Sequence, residues 1–130
     1  MFNHVVVGSN DLEKAKQFYD AVLGVLGAGE GRSDDNARRR RYVYRTGTGA
    51  FFVTQPIDGQ TASIANGGTI GFSCQSAEQV DRWHAAGVAN GGQSVEDPPG
   101  VRGPQPGGVY LAYLRDPDGN KLCAVYRMPG

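Results

Sequence analysis

The stretch that decides the fold occurs twice: residues 4–19 read HVVVGSNDLEKAKQFY, and residues 69–84 read TIGFSCQSAEQVDRWH. The second copy begins 65 positions after the first, which is half of the 130 residues, and Phe18 falls on Trp83 without a gap. Each copy opens with a short apolar run and passes through a polar turn into apolar residues at helical spacing. The sequence therefore predicts two homologous strand–turn–helix units.

The helix of the first copy has recognisable ends. Asn10, three residues before Glu13, matches a capping box, in which each of the two side chains bonds the backbone amide of the other residue. The apolar face that follows consists of Leu12, Ala15, Phe18, Tyr19 and Val22. Gly24 or Gly27 is expected to end this helix, because glycine is favoured just past a helix terminus.

The helix of the second copy repeats this pattern. Ser76 pairs with Gln79 as Asn10 pairs with Glu13. Its apolar face consists of Ala77, Val80, Trp83 and Ala86. Gly87 is expected to end the helix, and Phe18 and Trp83 are expected to be matched core anchors between helix and sheet.

Strand-like runs follow each helix. They cover residues 41–45, 51–54, 109–114 and 121–126, with further short strands expected near 26–32 and 88–95. The order is therefore βαβββ twice, which predicts an α+β fold in a single domain over residues 1–130. Module one spans residues 1–60 and module two spans residues 66–128. A single module would leave one sheet face uncovered, so the modules must pair, within the chain or with a second chain.

Composition narrows the class of protein. Apolar residues make up 39% and charged residues 20% of the chain, which suits a soluble domain with one sizeable core. Basic and acidic residues balance at 13 each, so no overall field attracts nucleic acid or an anionic membrane. No export signal or bilayer-spanning run is visible, which predicts a cytoplasmic location. Cys74 and Cys123 lack CxxC spacing and are interpreted as free thiols.

Two motifs carry a family resemblance. Asn3-His4-Val5, followed by the helix from Asp11 to Gly24, is similar to the opening of many vicinal oxygen chelate proteins, and Arg115 to Leu122 resembles their closing hairpin. This superfamily includes glyoxalases, bleomycin-resistance proteins and extradiol dioxygenases. The resemblance implies that two βαβββ modules curl their sheets into a partial barrel. It also implies a cleft that holds a divalent metal on four side chains, and a homodimer.

The resemblance allows the four metal-ligand positions to be compared with this chain. His4 matches the first ligand, Phe52 stands at the second, Thr69 at the third and Cys123 at the fourth. His4 and Cys123 alone would hold Zn, Ni, Mn or Fe weakly, because a catalytic metal site usually takes three protein ligands. We therefore expect no cofactor, with His4 as a polar residue that lines the cleft and Cys123 as a buried thiol. A divalent metal on His4 and Cys123 is the alternative.

Other side chains are candidates for the cleft. Tyr113, ten residues before Cys123, resembles by position a cleft tyrosine of the ring-opening dioxygenases and could donate a proton to an oxyanion. Arg41 ends the run of arginines at 38–41 and could grip a carboxylate or phosphate, or belong to a solvated edge balanced by Asp34 and Asp35. Arg102 lies in a Gly/Pro-rich loop over residues 96–108 that resembles the flap of the family.

These residues leave three functions open. The first in rank is a small-molecule binding protein whose metal ligands are mostly lost, with an aromatic cleft supplied by His4, Phe52, Phe72, Tyr42 or Tyr44, and Tyr113. The alternative is a metal-dependent glyoxalase-like lyase, isomerase or dioxygenase that uses His4 and a reduced ligand set. The third is a metal-independent enzyme with His4 as base and Tyr113 as acid.

Overall fold

The computed structural model describes residues 1–130 and has two helices and nine strands. In chain order the elements are β1 (His4–Gly8), α1 (Leu12–Val25), β2 (Arg32–Ser33), β3 (Arg41–Thr46), β4 (Gly49–Thr54), β5 (Ile70–Ser73), α2 (Ala77–Ala89), β6 (Gln93–Ser94), β7 (Gly100–Arg102), β8 (Val109–Arg115) and β9 (Lys121–Arg127). The prediction of an α+β chain is confirmed: module one has the order βαβββ, and module two has the same order with one extra short strand, β7. Neither helix is long and apolar enough to cross a membrane.

Two sheets follow the same path. Sheet one has the strand order β1-β4-β3-β2, and sheet two has the order β5-β9-β8-β6. In each sheet the first strand of the module runs parallel to the last strand, and the remaining pairs are antiparallel. The short strand β7 also pairs with β8 and lies inside the loop predicted to be a flap. The two sheets do not close into a barrel, and β1 and β5 are edge strands.

Each sheet has a face covered by its helix and an open face. Side chains alternate between the two faces along every strand, so Val7 and Val53 point toward α1 while His4 and Phe52 point to the open side. Phe18 and Trp83 are fully buried, as predicted for matched anchors. They belong to one core cluster that includes residues of both helices and both sheets. The modules therefore pack through their helix-covered faces.

The cap of α1 lies one residue later than the sequence predicts. Asp11 is the N-cap and accepts a bond from the Lys14 amide, whereas Asn10 serves another purpose. The Asn10 side chain bonds both backbone groups of Ala62 and so ties down the segment between the modules. Ser76 caps α2 by accepting from the Gln79 amide, as predicted.

The prediction that α2 ends at Gly87 is wrong, because the helix continues to Ala89. Gly87 is present for a different reason. A Cβ atom there would lie 2.3 Å from Leu114 Cδ1 and 3.2 Å from Phe18 and Val22 side-chain atoms. Gly87 thus marks a close approach of α2 to α1 and β8, and a side chain there would require the neighbouring side chains to shift.

The hairpin turn of module two joins the modules. Asp116 is buried and accepts a 2.6 Å bond from the Tyr19 hydroxyl on α1. The Asn120 side chain donates to the Gly8 carbonyl, and Asp118 accepts from the Asn10 amide. The turn therefore anchors the start of β9 to the end of β1 in the other module.

Candidate functional site

A groove lies where the edge strands β1 and β5 approach each other. It has a volume of about 570 Å³, and most of its lining residues are hydrophobic. Leu23 and Leu26, from the end of α1, are among the side chains that line it, and the β3–β4 turn forms one wall. We call this space the inter-module groove, since β1 supplies His4 and Val5 while β5 supplies residues 70–73. The sequence did not indicate it, because its two sides lie far apart in the chain.

His4 lies at the edge of the inter-module groove on the open face of sheet one. Its ring is exposed and stacks on Phe52, with 5.1 Å between centroids and 14° between planes. Its Nδ1 atom forms a 2.7 Å hydrogen bond with the Asn3 side chain. The imidazole is therefore oriented but still open to a ligand, and Phe52 is a buried platform beneath it.

The guanidinium group of Arg41 also lies over the Phe52 ring. Its guanidinium carbon lies 4.5 Å from the centroid of the Phe52 ring, and its Nε atom donates a 2.8 Å bond to Asp34. Residues 38–40 of the arginine run precede β3 and belong to a loop. Arg40 pairs with Glu13 and Asp35, and Arg39 bonds the Asp34 carbonyl. The run is mainly a balanced loop and strand edge, which was the simpler of the two interpretations.

The candidates of module two form a separate cluster on the open face of sheet two. Cys123 and Tyr113 are direct neighbours across β8 and β9, and Gly71 on β5 lies next to Cys123. Burial raises the pKa of the Cys123 thiol, opposed by the charge of Lys121, which favours the protonated form. The Lys121 ammonium lies 4.9 Å from the centroid of the Tyr113 ring. Thr69 is exposed just before β5.

The remaining candidates are Arg102 and the two tyrosines of β3, Tyr42 and Tyr44. The Arg102 guanidinium donates to the carbonyls of Asp97 and Pro98, so it holds its own loop together. The Tyr42 and Tyr44 hydroxyls bond to Glu13 and Asp20 on α1, which places both rings on the helix side of sheet one. Both are therefore core residues and not part of an aromatic open face, although Tyr44 also lines the inter-module groove.

Comparison with known proteins agrees with this architecture. The family model of the Glyoxalase/Bleomycin resistance protein/Dioxygenase superfamily matches residues 1–124. The chain belongs to this superfamily. A crystal structure of a glyoxalase/bleomycin resistance protein from Albidiferax ferrireducens is 57% identical, with a TM-score of 0.88 over 98% of this chain and 99% of that chain.

More distant relatives add less detail. A Brassica oleracea protein named "Putative lactoylglutathione lyase" is 26% identical over 129 residues, which are 98% of this chain and 45% of that protein. This chain therefore spans less than half of that relative's length. A domain from Frankia matches with a TM-score of 0.75 at 16% identity, over 100% of this chain and 93% of that chain, and shows the fold alone.

The metal site implied by this superfamily does not fit the residues present. No group of three or more His, Cys, Asp or Glu side chains is placed to hold a metal ion together. Of the four carried-over positions, His4 lies on sheet one and Cys123 on sheet two, and Phe52 is a hydrocarbon ring. Thr69 offers only a neutral hydroxyl. Such a donor set falls short of the three ligands of an ordinary catalytic site.

Arg45 is the site residue that sequence reasoning missed. It shares the open face of sheet one with Arg41, since the two are four positions apart on β3. Its guanidinium carbon is 5.8 Å from the centroid of the Phe52 ring. The signal was the alternation of β3 itself, which extends the arginine pattern past residue 41.

Proposed function

We propose that this superfamily member binds a small, largely apolar organic molecule in the inter-module groove, without a metal ion. The observation that carries the proposal is the position of His4, an exposed imidazole at the edge of a predominantly apolar groove. A groove with hydrophobic walls and few polar groups is the usual setting for a small organic ligand. In this arrangement the walls exclude water and His4 orients the ligand by one hydrogen bond.

The donor set supports binding without a metal. His4 is held by Asn3 and stacked on Phe52, so its ring is already positioned for a hydrogen bond. Burial raises the pKa of Cys123, which disfavours its use as a nucleophile. Tyr113 lies on sheet two and does not line the groove, so an acid–base pair with His4 has less support.

A thermal-shift screen of small aromatic and antibiotic-like compounds tests the proposal. We expect some compounds to raise the melting temperature of the wild-type protein, and Ser73→Trp to abolish that effect by filling the groove. Ser63→Trp is the matched control, because Ser63 is exposed and does not line the groove. His4→Ala should weaken binding about fivefold to tenfold, since one hydrogen bond is lost. Binding that survives Ser73→Trp would contradict the proposal.

The second candidate is a metal-dependent lyase, isomerase or dioxygenase with His4 in a reduced ligand set. The names of the relatives favour it, since the Brassica protein is called a lactoylglutathione lyase. Elemental analysis of protein purified without chelator separates the two candidates. Stoichiometric Zn, Ni, Mn or Fe that is lost in His4→Ala would support the enzyme, and its absence would support metal-free binding.

A homodimer and a cytoplasmic location stay predictions. The open faces of both sheets are uncovered, and Phe2 and Val6 are 75% and 44% exposed beside them. A second copy could cover these surfaces and the edges of β1 and β5. Light scattering coupled to size exclusion would measure the mass of the assembly.

A further inference from the structure

A second cavity lies near the β2 edge of sheet one, whereas the inter-module groove lies at the β1 edge. It has a volume of about 530 Å³, and its lining includes Glu30, Arg32, Ser33, Asp34, Val43 and Arg45. Arg32 lies opposite Val43 in the ladder of β2 and β3, and Arg45 follows Val43 by two positions, so all three share the open face. We call it the arginine cavity.

The two acids and two arginines that line the arginine cavity do not pair with each other. Asp34 is engaged by Arg41, whose Nε atom lies 2.8 Å from its carboxylate. Glu30 is engaged by Lys16 at 2.7 Å. Arg32 and Arg45 form no ion pair and no side-chain hydrogen bond. Asp34 and Glu30 thus have basic partners outside the cavity, although Lys16 is shared with Asp20. Arg32 and Arg45 have no bonded partner.

This pattern differs from that of Arg39, Arg40 and Arg41, whereas the exposed Arg38 before β3 also forms no ion pair and no side-chain hydrogen bond. Arg39 donates to a backbone carbonyl, and Arg40 and Arg41 pair with acids at distances of ordinary ion pairs. The guanidinium carbon of Arg45 also lies 5.8 Å from the centroid of the Phe52 ring, and no acceptor engages its N–H groups. Its donors are therefore free to meet an acceptor above Val43.

We propose that the arginine cavity binds an oxyanion, the carboxylate or phosphoryl group of a small molecule. Arg32 and Arg45 supply ten N–H donors in two rigid forks, which match two oxygens of a carboxylate or phosphate bidentately. Buried Val43 forms an apolar floor at 8% exposure, against which the carbon part of the molecule packs. The site is independent of the inter-module groove, which Arg32 and Arg45 do not line.

Amide spectra of ¹⁵N-labelled protein test the proposal with benzoate, phenylphosphonate and benzamide as probes. Benzoate or phenylphosphonate should shift the amides of residues 32–33 and 43–45, and the stronger of the two identifies the anion class. Benzamide, which has the same shape and no charge, should leave them unchanged. Arg45→Gln should raise the Kd of the anion roughly tenfold or more, because a charge-assisted bidentate contact is lost.

Arg127→Gln is the matched control, since it removes the same charge from an exposed, unpaired arginine of β9. It should change the Kd less than twofold. The proposal is overturned if no anion shifts these amides in wild type, if benzamide shifts them equally, or if the two variants weaken binding alike. Dispersed spectra of both variants show that they are folded. Loss of groove binding in Ser73→Trp leaves this result untouched, so the two proposals fail separately.

Discussion

The turn at Asp116–Asn120 in module two and the turn at Thr46–Gly49 in module one each face the first strand of the other module. The first turn bonds the end of β1 and α1 through Asp116, Asp118 and Asn120. The second bonds mainly within itself, through the Thr46 hydroxyl. Across from it lie residues 73–75 and the inter-module groove.

The surroundings of the two turns are otherwise equivalent. Residues 8–10 and 73–75 are related by the 65-residue repeat, and the backbone follows it closely. The Ser9 amide bonds the Thr54 carbonyl at 2.9 Å, and the Cys74 amide bonds the Val125 carbonyl at 2.7 Å. In one repeat, hydrogen bonds join the turn at 116–120 to residues 8–10 of the other module, and we call this contact the bonded junction. In the other repeat, the equivalent contact between the turn at 46–49 and residues 73–75 is open and borders the inter-module groove. Duplication supplies both the bonded junction and the space that can receive a ligand.

The largest expected effect comes from breaking the bonded junction. Asp116→Ala should lower the free energy of unfolding by about 3 kcal/mol, because the buried Tyr19 hydroxyl and nearby amides lose their acceptor. Thr46→Ala, in the other turn, should cost no more than about 0.5 kcal/mol. Urea unfolding of both variants measures the difference. Equal losses would show that the two turns do not differ in this way.

A smaller effect is expected at the equivalent residues Asn10 and Gln75. Asn10→Ala should lower the free energy of unfolding by about 1 kcal/mol, because its side chain loses two bonds to Ala62. Gln75→Ala should have an effect near zero, since the Gln75 side chain forms no hydrogen bond. Thermal unfolding in the same buffer compares them, and a larger loss at Gln75 would reverse the assignment of the bonded junction.

The smallest effect concerns pH and has opposite signs in the two modules. Burial, opposed by bonds from Tyr19 and Asn120, raises the pKa of Asp116. The part of its stability contribution that depends on protonation is therefore full at low pH and is lost as pH rises through the folded pKa, while the bonds that the carboxylate accepts remain. Burial of Asp20 is outweighed by bonds from Lys16, Gly31 and Tyr44, which lower its pKa, so its contribution is lost as pH falls.

Unfolding free energies between about pH 3 and pH 7 check these signs. The destabilisation caused by Asp116→Asn should shrink as pH rises through this window. The destabilisation caused by Asp20→Asn should grow over the same range, because asparagine does not titrate. If the destabilisation changed with pH in the same direction for both variants, the surroundings of Asp116 and Asp20 would not shift their pKa values in opposite directions.

Much of the fold could be predicted because local patterns encode it. Alternation placed residues 41–45 and 109–114 in strands, and the spacing of Phe18 and Trp83 placed both in the core. The end of α2 was predicted wrongly, because Gly87 is required by the close approach of Leu114 and does not end the helix. Of the candidate site, only the assignment of His4 to the cleft was available from the sequence, through the family resemblance. Its stacking on Phe52 was not.

By itself, then, the sequence determined the repeat, the family and most of the strands, because periodicity and motif order act over a few residues. Only the tertiary structure decided which junction is bonded and which is open. It also decided that the Arg45 guanidinium has no acidic partner, whereas Arg41 pairs with Asp34. These outcomes depend on contacts between residues far apart in the chain, such as Tyr19 with Asp116. No local pattern records such contacts, since they form only when the helices bring the two modules together.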